Sequence, residues 1–111
     1  MAECLFCKII RGEIPSNTVY EDDRILAFYD IEPKAPVHVL IIPKTHLEGV
    51  RDITPENSAE VAHIFACIPA IARQLGVADY RVVTNNGADA GQTVHHLHFH
   101  LLAGEKLGEM A

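Results

Sequence analysis

Four of the chain's seven histidines fall between Gln92 and Leu102, and three of them, His96, His98 and His100, alternate with Leu97, Phe99 and Leu101. Successive side chains on a β-strand point to opposite faces. The period-two pattern therefore predicts a strand with three imidazoles on one face and an apolar row on the other. At ~3.3 Å per residue, neighbouring imidazoles would sit roughly 6.6 Å apart. Such a face has three uses. A neutral imidazole can attack a phosphoryl group and form a covalent intermediate, while a neighbour that titrates near ~6.5 shuttles the leaving-group proton. Alternate histidines can ligate a metal. Or the histidines only hydrogen-bond on a polar strand face. One or two histidines would favour the last reading; three in strict alternation favour chemistry. The preceding Gly91-Gln92-Thr93 points to phosphate. Glycine lets backbone approach a ligand, and the amide, the hydroxyl and nearby backbone N–H groups are neutral donors.

Other chemistries lack their residues. There is no Walker-type glycine loop with lysine, no Gly-x-Ser-x-Gly elbow and no paired-carboxylate arrangement for glycoside work. The net charge of −6 argues against a nucleic-acid partner, although local donors can still hold a small phosphate. No apolar run approaches the ~18 residues of a membrane span. The start, Met1-Ala2-Glu3-Cys4-Leu5, does not read as a leader, and an odd count of three cysteines fits a reducing compartment. A cytoplasmic protein of one domain, residues 1–111 around a single core, is expected.

The elements that must position the histidines follow from local pattern. Cys4 to Arg11 reads as a short helix or turn, Val19-Tyr20-Glu21 as a short strand and Ile25 to Tyr29 as another. Val37 to Ile42, rich in β-branched residues, reads as a central strand stopped by Pro43. Thr54-Pro55-Glu56 reads as a helix start. Val61, Ile64, Phe65, Ile68, Ile71, Ala72 and Leu75 mark its apolar face, Pro69 predicts a kink or break, and Gly76 ends it. Tyr80 to Thr84 reads as a strand before the Asn85-Asn86-Gly87 turn. The sum is α+β: about five antiparallel strands with one long and one short helix.

The run His96-Leu97-His98-Phe99-His100-Leu101-Leu102 matches His-φ-His-φ-His-φ-φ, and the chain thereby resembles the histidine triad (HIT) family. Phe6-Cys7-Lys8-Ile9-Ile10, Glu13-Ile14-Pro15, Glu21-Asp22-Asp23, Ala27-Phe28-Tyr29-Asp30-Ile31, Ala35-Pro36-Val37-His38, Ile42-Pro43-Lys44-Thr45-His46 and Gly91-Gln92-Thr93-Val94 extend the likeness to the Hint branch. The resemblance implies a HIT-like fold and a homodimer joining the two sheets, with the long helix and a central strand at the interface. It also implies a hydrolase that cleaves the P–N bond of purine nucleoside 5′-phosphoramidates through a nucleotidyl-histidine, acting on small purine nucleotides such as AMP and GMP. By resemblance His98 is the nucleophile and His100 contacts phosphate and leaving group. His96 orients His98 through its carbonyl, and His38 completes a relay. Asp30 would take the ribose hydroxyls. Phe6, Ile9, Ile14, Phe28, Ile31 and Leu40 would wall the purine, and Asn85, Gly91, Gln92, Thr93 and Val94 would line the phosphate side. Histidine rather than glutamine at position 100 favours hydrolysis over nucleotidyl transfer. Thr93 stands in place of the family's usual serine, His95 where eukaryotic relatives have tyrosine, and the tail Gly104 to Ala111 lacks their tryptophan-containing end.

Cys4-x-x-Cys7 on its own reads as a redox pair, half of a zinc site or two small buried residues. By analogy with microbial HIT proteins, Cys4, Cys7, His46 and His96 would form a structural zinc set, four protein ligands leaving no position for water. No cofactor is required for catalysis in this reading. Cys67 reads as core. Two rival functions share the pattern: a dinucleoside polyphosphate hydrolase, and a non-catalytic nucleotide-binding or scaffold protein. A third treats the triad itself as a metal-ligand set.

Overall fold

One strand organises the molecule. In the computed structural model, which describes residues 4–110, Val37–Pro43 (β3) is the middle strand of a five-stranded antiparallel sheet. The other strands are Thr18–Glu21 (β1), Ile25–Tyr29 (β2), Tyr80–Val83 (β4) and Phe99–Ala103 (β5), in the order β1-β2-β3-β5-β4. Met1 to Glu3, the start of the stretch read for a leader, lie outside the described residues, as does Ala111. Two helices complete the fold, Leu5–Ile10 (α1) and Ser58–Leu75 (α2).

Alternation sorts the sheet into two faces. Ile25 and Ala27 of β2, Val39 and Ile41 of β3, and Phe99, Leu101 and Ala103 of β5 pack against Ile64, Ile68 and Ile71 of α2. The intervening Leu26, Phe28, Leu40 and Ile42 turn to the opposite face and form a second cluster with Phe6 of α1. β3 is buried nearly throughout because both of its faces are covered, which its unbroken apolar run anticipates. Each such side chain removed from water contributes ~1.5–3 kcal/mol. Both edges of β3 are paired, and among the described strands only β1 and β4 keep a free edge.

The helix boundaries show where local chemistry overrides the pattern. α2 begins at Ser58, not at Thr54. The Thr54 N–H donates to Asn57 Oδ1 at 2.7 Å and the Asn57 N–H donates to Thr54 Oγ1 at 3.3 Å. This reciprocal pair is a capping box, so Thr54 caps the turn that leads into α2, and the regular helix follows from Ser58. Pro69 does not break α2. It leaves the Phe65 carbonyl without its helical donor, on a solvent-facing side where water can serve. Phe65 is 49% exposed and meets Phe99 of the core edge-on at 5.3 Å. Asp22 fastens α2 to the β1–β2 turn. Its Oδ2 accepts from Tyr20 Oη at 2.8 Å and His63 Nε2 at 2.7 Å, and its Oδ1 from the N–H groups of Arg24 and Ile25.

β5 starts at Phe99, three residues later than the histidine alternation suggests. The Leu97 N–H donates to the Leu47 carbonyl at 2.6 Å, and the His96 ring donates from Nε2 to the Pro43 carbonyl at 2.8 Å. These bonds draw the chain before β5 onto the loop after β3. The facing still follows the sequence: Leu97, Phe99 and Leu101 enter the α2 core, while His96 and His98 meet Phe6 on the other side.

Candidate active site

The second face of the sheet opens into a cleft of about 620 Å³ between α1, the Asp30–Lys34 loop and the Gly91–Val94 loop. That size suits a small ligand. His98 and His100 project into it from β5 and the residue just before, with ring centroids 5.0 Å apart. The separation is below the 6.6 Å expected of a flat strand because the rings tilt together.

Hydrogen bonds assign each ring its tautomer. His98 Nδ1 lies 2.6 Å from the His96 carbonyl, a partner that can only accept. Nδ1 of His98 therefore carries the proton, and Nε2 keeps a bare lone pair. That carbonyl's neighbour along the chain is fixed too, since Thr84 Oγ1 donates to the His98 carbonyl at 2.8 Å. His38 Nδ1 accepts the backbone N–H of Lys34 at 3.0 Å, so its proton is on Nε2. That proton points at His100 Nδ1, 2.9 Å away, with an Asp30 carboxylate oxygen at 3.5 Å. His100 is thereby left with its proton on Nε2. The pair presents one nucleophilic nitrogen and one N–H donor side by side, an arrangement suited to attack at an oxyanion-bearing centre.

Asp30 Oδ1 is held by the Glu32 N–H at 2.8 Å, and Asp30 lines the cleft. Phe6, Ile9, Ile14, Phe28, Ile31 and Leu40 form its apolar wall, Ile31 standing 92% exposed at the rim. Asn85, Gly91, Thr93 and Val94 line the opposite side. Gln92 does not join them. Its buried amide donates to the carbonyls of Glu48 and Val94, and its oxygen accepts the Gly87 N–H, so it braces the loop rather than facing the cleft. A buried amide must be satisfied, and a local backbone did so here. His95 lies in a separate crease with Arg51 and Asn86. Sequence reasoning missed Lys34 and Leu102, which also line the cleft. Lys34 had a signal, as it immediately precedes the Ala35-Pro36-Val37-His38 block.

His96 faces away from the cleft's centre. Its Nδ1 meets Cys4 Sγ at 3.4 Å, Cys7 Sγ at 3.6 Å and His46 Nδ1 at 3.1 Å, and Cys7 Sγ lies 3.3 Å from His46 Nδ1. Because His96 Nε2 is committed to Pro43, this Nδ1 is bare. All four donor atoms lie within 4.8 Å of one another. A tetrahedral ion bound at ~2.0–2.1 Å by nitrogen and ~2.3 Å by sulfur sets its ligands roughly 3.3–3.8 Å apart. The residues fit a single such ion, with the Pro43 carbonyl as the outer partner that orients His96.

Burial holds these rings neutral. It pushes His100 down to about 4, helped by the neighbouring His98 and His38 rings, and likewise His96 to about 4. His38 and His98 are also lowered by burial, partly offset by Asp30. An unfolded histidine titrates near ~6.5, so between that value and the folded pKa the unfolded chain binds more protons. Stability is then complete above about pH 6.5 and declines as pH falls toward 4. Thermal midpoints measured across pH 8 to 4.5 should stay level to about 6.5 and then drop, with a shallower drop in His100→Gln. A midpoint that rises on acidification would contradict the neutral assignment.

The comparisons with known proteins agree with this geometry. The HIT domain family model matches residues 11–107. A HIT-like protein of Synechocystis is 53% identical over 94% of this chain and 93% of its own. The purine nucleoside phosphoramidase of Escherichia coli is 44% identical over 97% of this chain and 92% of its own. Among solved structures, a HIT family hydrolase from Clostridium thermocellum superposes with a TM-score of 0.94 at 48% identity, covering 99% of this chain and 97% of that one. A histidine triad protein from Clostridium difficile gives 0.93 at 48% identity, with both chains covered in full. With the histidine motif seated on the expected face of a five-stranded antiparallel sheet, the chain belongs to the HIT domain family.

Proposed function

We propose that this protein is a hydrolase of purine nucleoside 5′-phosphoramidates that works through a covalent nucleotidyl-histidine. The observation that carries the reading is the bare Nε2 of His98 beside the Nε2–H of His100 at the floor of a half-apolar cleft. The 44% identity to a purine nucleoside phosphoramidase supports the choice of substrate. The purine would lie between Phe6, Ile9, Phe28 and Leu40, and the ribose hydroxyls would donate to Asp30. Thr93, Val94 and the His100 donor would hold the phosphoryl oxygens.

His98 Nε2 then attacks phosphorus while the P–N bond breaks. As positive charge grows on the ring, the Nδ1–H bond to the His96 carbonyl strengthens. The departing nitrogen needs one added proton; it comes through His100 Nε2–H, and a proton taken up from solvent at the open side of the cleft restores it. Water then attacks phosphorus, loses its proton by the same route and releases His98 and the nucleoside monophosphate.

Cys4, Cys7, His46 and His96 would hold zinc. Such an ion supplies a cross-link between α1 and the loops flanking β3 and β5, and no step above uses it. The same reading includes a cytoplasmic homodimer, supported by the exposed Phe65 and Pro69 on α2 and the free edge of β4. Among the described residues no helix is long and apolar enough to cross a membrane.

Two outcomes test this reading. Adenosine 5′-phosphoramidate with a fluorogenic amine should be turned over by the wild type, and His98→Ala should lose at least ~10³-fold in kcat, as removal of a nucleophile does. Wild-type turnover retained in His98→Ala would refute the covalent route, and cleavage of dinucleoside polyphosphates alone would move the substrate class. Native mass spectrometry should find two chains carrying two zinc ions, and Cys7→Ala should carry none; a metal-free monomer would remove both assignments.

A further inference from the structure

We propose that Lys34 is the anion-recognising side chain on the His100 side of the cleft, an assignment that rests on the nucleotide reading above. Among the described residues that line the cleft, Lys34 is the single lysine or arginine, whereas Asp30 and Glu32 both bring carboxylates. The whole chain carries −6. The buried histidines are neutral, so an incoming phosphate monoester finds N–H donors there but no countercharge.

The position of Lys34 is set by its backbone, whose N–H is locked to His38 Nδ1 at 3.0 Å. Its side chain is not locked. Nζ rests on the Glu32 carbonyl at 3.1 Å, an exposed bond to a neutral acceptor that water can replace. No carboxylate of the described residues neutralises it. Its backbone bond to His38, which in turn meets His100, places it on their side of the cleft. A compact ammonium on a flexible four-carbon stem suits a tetrahedral anion approached from several directions. The structure therefore pairs a fixed backbone, which sets the tautomers of the relay, with an exposed cation at the rim. The anion it meets is either the α-phosphate or an acidic group on the departing amine.

Calorimetric titration separates these sources. If the anion is the α-phosphate, Lys34→Met should raise the dissociation constant for AMP about fivefold at low salt, the upper range for an exposed ion pair. The difference should shrink at high salt, Lys34→Arg should restore binding, and adenosine should bind wild type and Lys34→Met alike. If the anion is on the leaving group, AMP affinity holds, while kcat/KM for a phosphoramidate with a carboxylate-bearing amine falls about fivefold relative to one with an uncharged amine. Either result supports the assignment. Lys34→Met that matches the wild type in both arms overturns it, as does a loss of adenosine binding equal to that of AMP, which would reveal a packing role. A wild type that binds neither AMP nor adenosine overturns the nucleotide reading itself, and this assignment with it.

Discussion

The site depends on one buried hydrogen bond, from His98 Nδ1 to the His96 carbonyl at 2.6 Å. A buried ring nitrogen without water must find its partner in the protein, and a carbonyl accepts but cannot donate. The bond therefore decides which nitrogen is protonated, and with it which nitrogen is nucleophilic. It also needs the chain to bend at His96, because residues two apart on a regular strand do not offer ring and carbonyl to each other. The late start of β5, the Leu97 bond to Leu47 and the His96 bond to Pro43 produce that bend. Phe6 of α1 completes the enclosure, its ring edge-on to His98 at 5.2 Å.

A second histidine pair repeats the logic with a different orienting group. The Lys34 N–H sets His38, and His38 sets His100. The two chains of bonds deliver opposite tautomers to neighbouring rings, a lone pair on one and a donor on the other. Burial keeps both neutral, which leaves His98 Nε2 its lone pair and avoids like charges at 5.0 Å. The Cys4, Cys7, His46 and His96 cluster fastens the same bend from its outer side. One residue, His96, thus links the candidate metal set to His98 through its backbone and its ring together.

Much of this was legible in the residues. The alternation around β5 put Leu97, Phe99 and Leu101 on one face, and the β-branched run of β3 read as a central strand. Where the reading erred, hydrogen bonding had overruled pattern. Alternation records facing and says nothing of ladder bonds, so it placed the start of β5 three residues early. Thr54 forms the cap its type suggests, but an intervening turn delays the regular helix to Ser58, which propensity does not resolve. Gln92 carried the polarity of a ligand contact, but a buried amide is claimed by whichever backbone surrounds it. Asp30 and His38 gained meaning only from the family resemblance, since a lone carboxylate at a strand end reads as a turn residue. The Cys4-x-x-Cys7 pair likewise took its partners from the resemblance alone, because they stand 39 and 92 positions away along the chain.

The tautomer of His98 is the most direct test of the account. Two-bond ¹⁵N–¹H correlation spectra of the free protein at pH 7 read protonation at each imidazole nitrogen. The account predicts a neutral His98 with the proton on Nδ1 and an unprotonated Nε2, next to a His100 with the opposite assignment. A His98 protonated on Nε2, or on both nitrogens, would contradict it, because the atom proposed to attack phosphorus would then have no lone pair to offer.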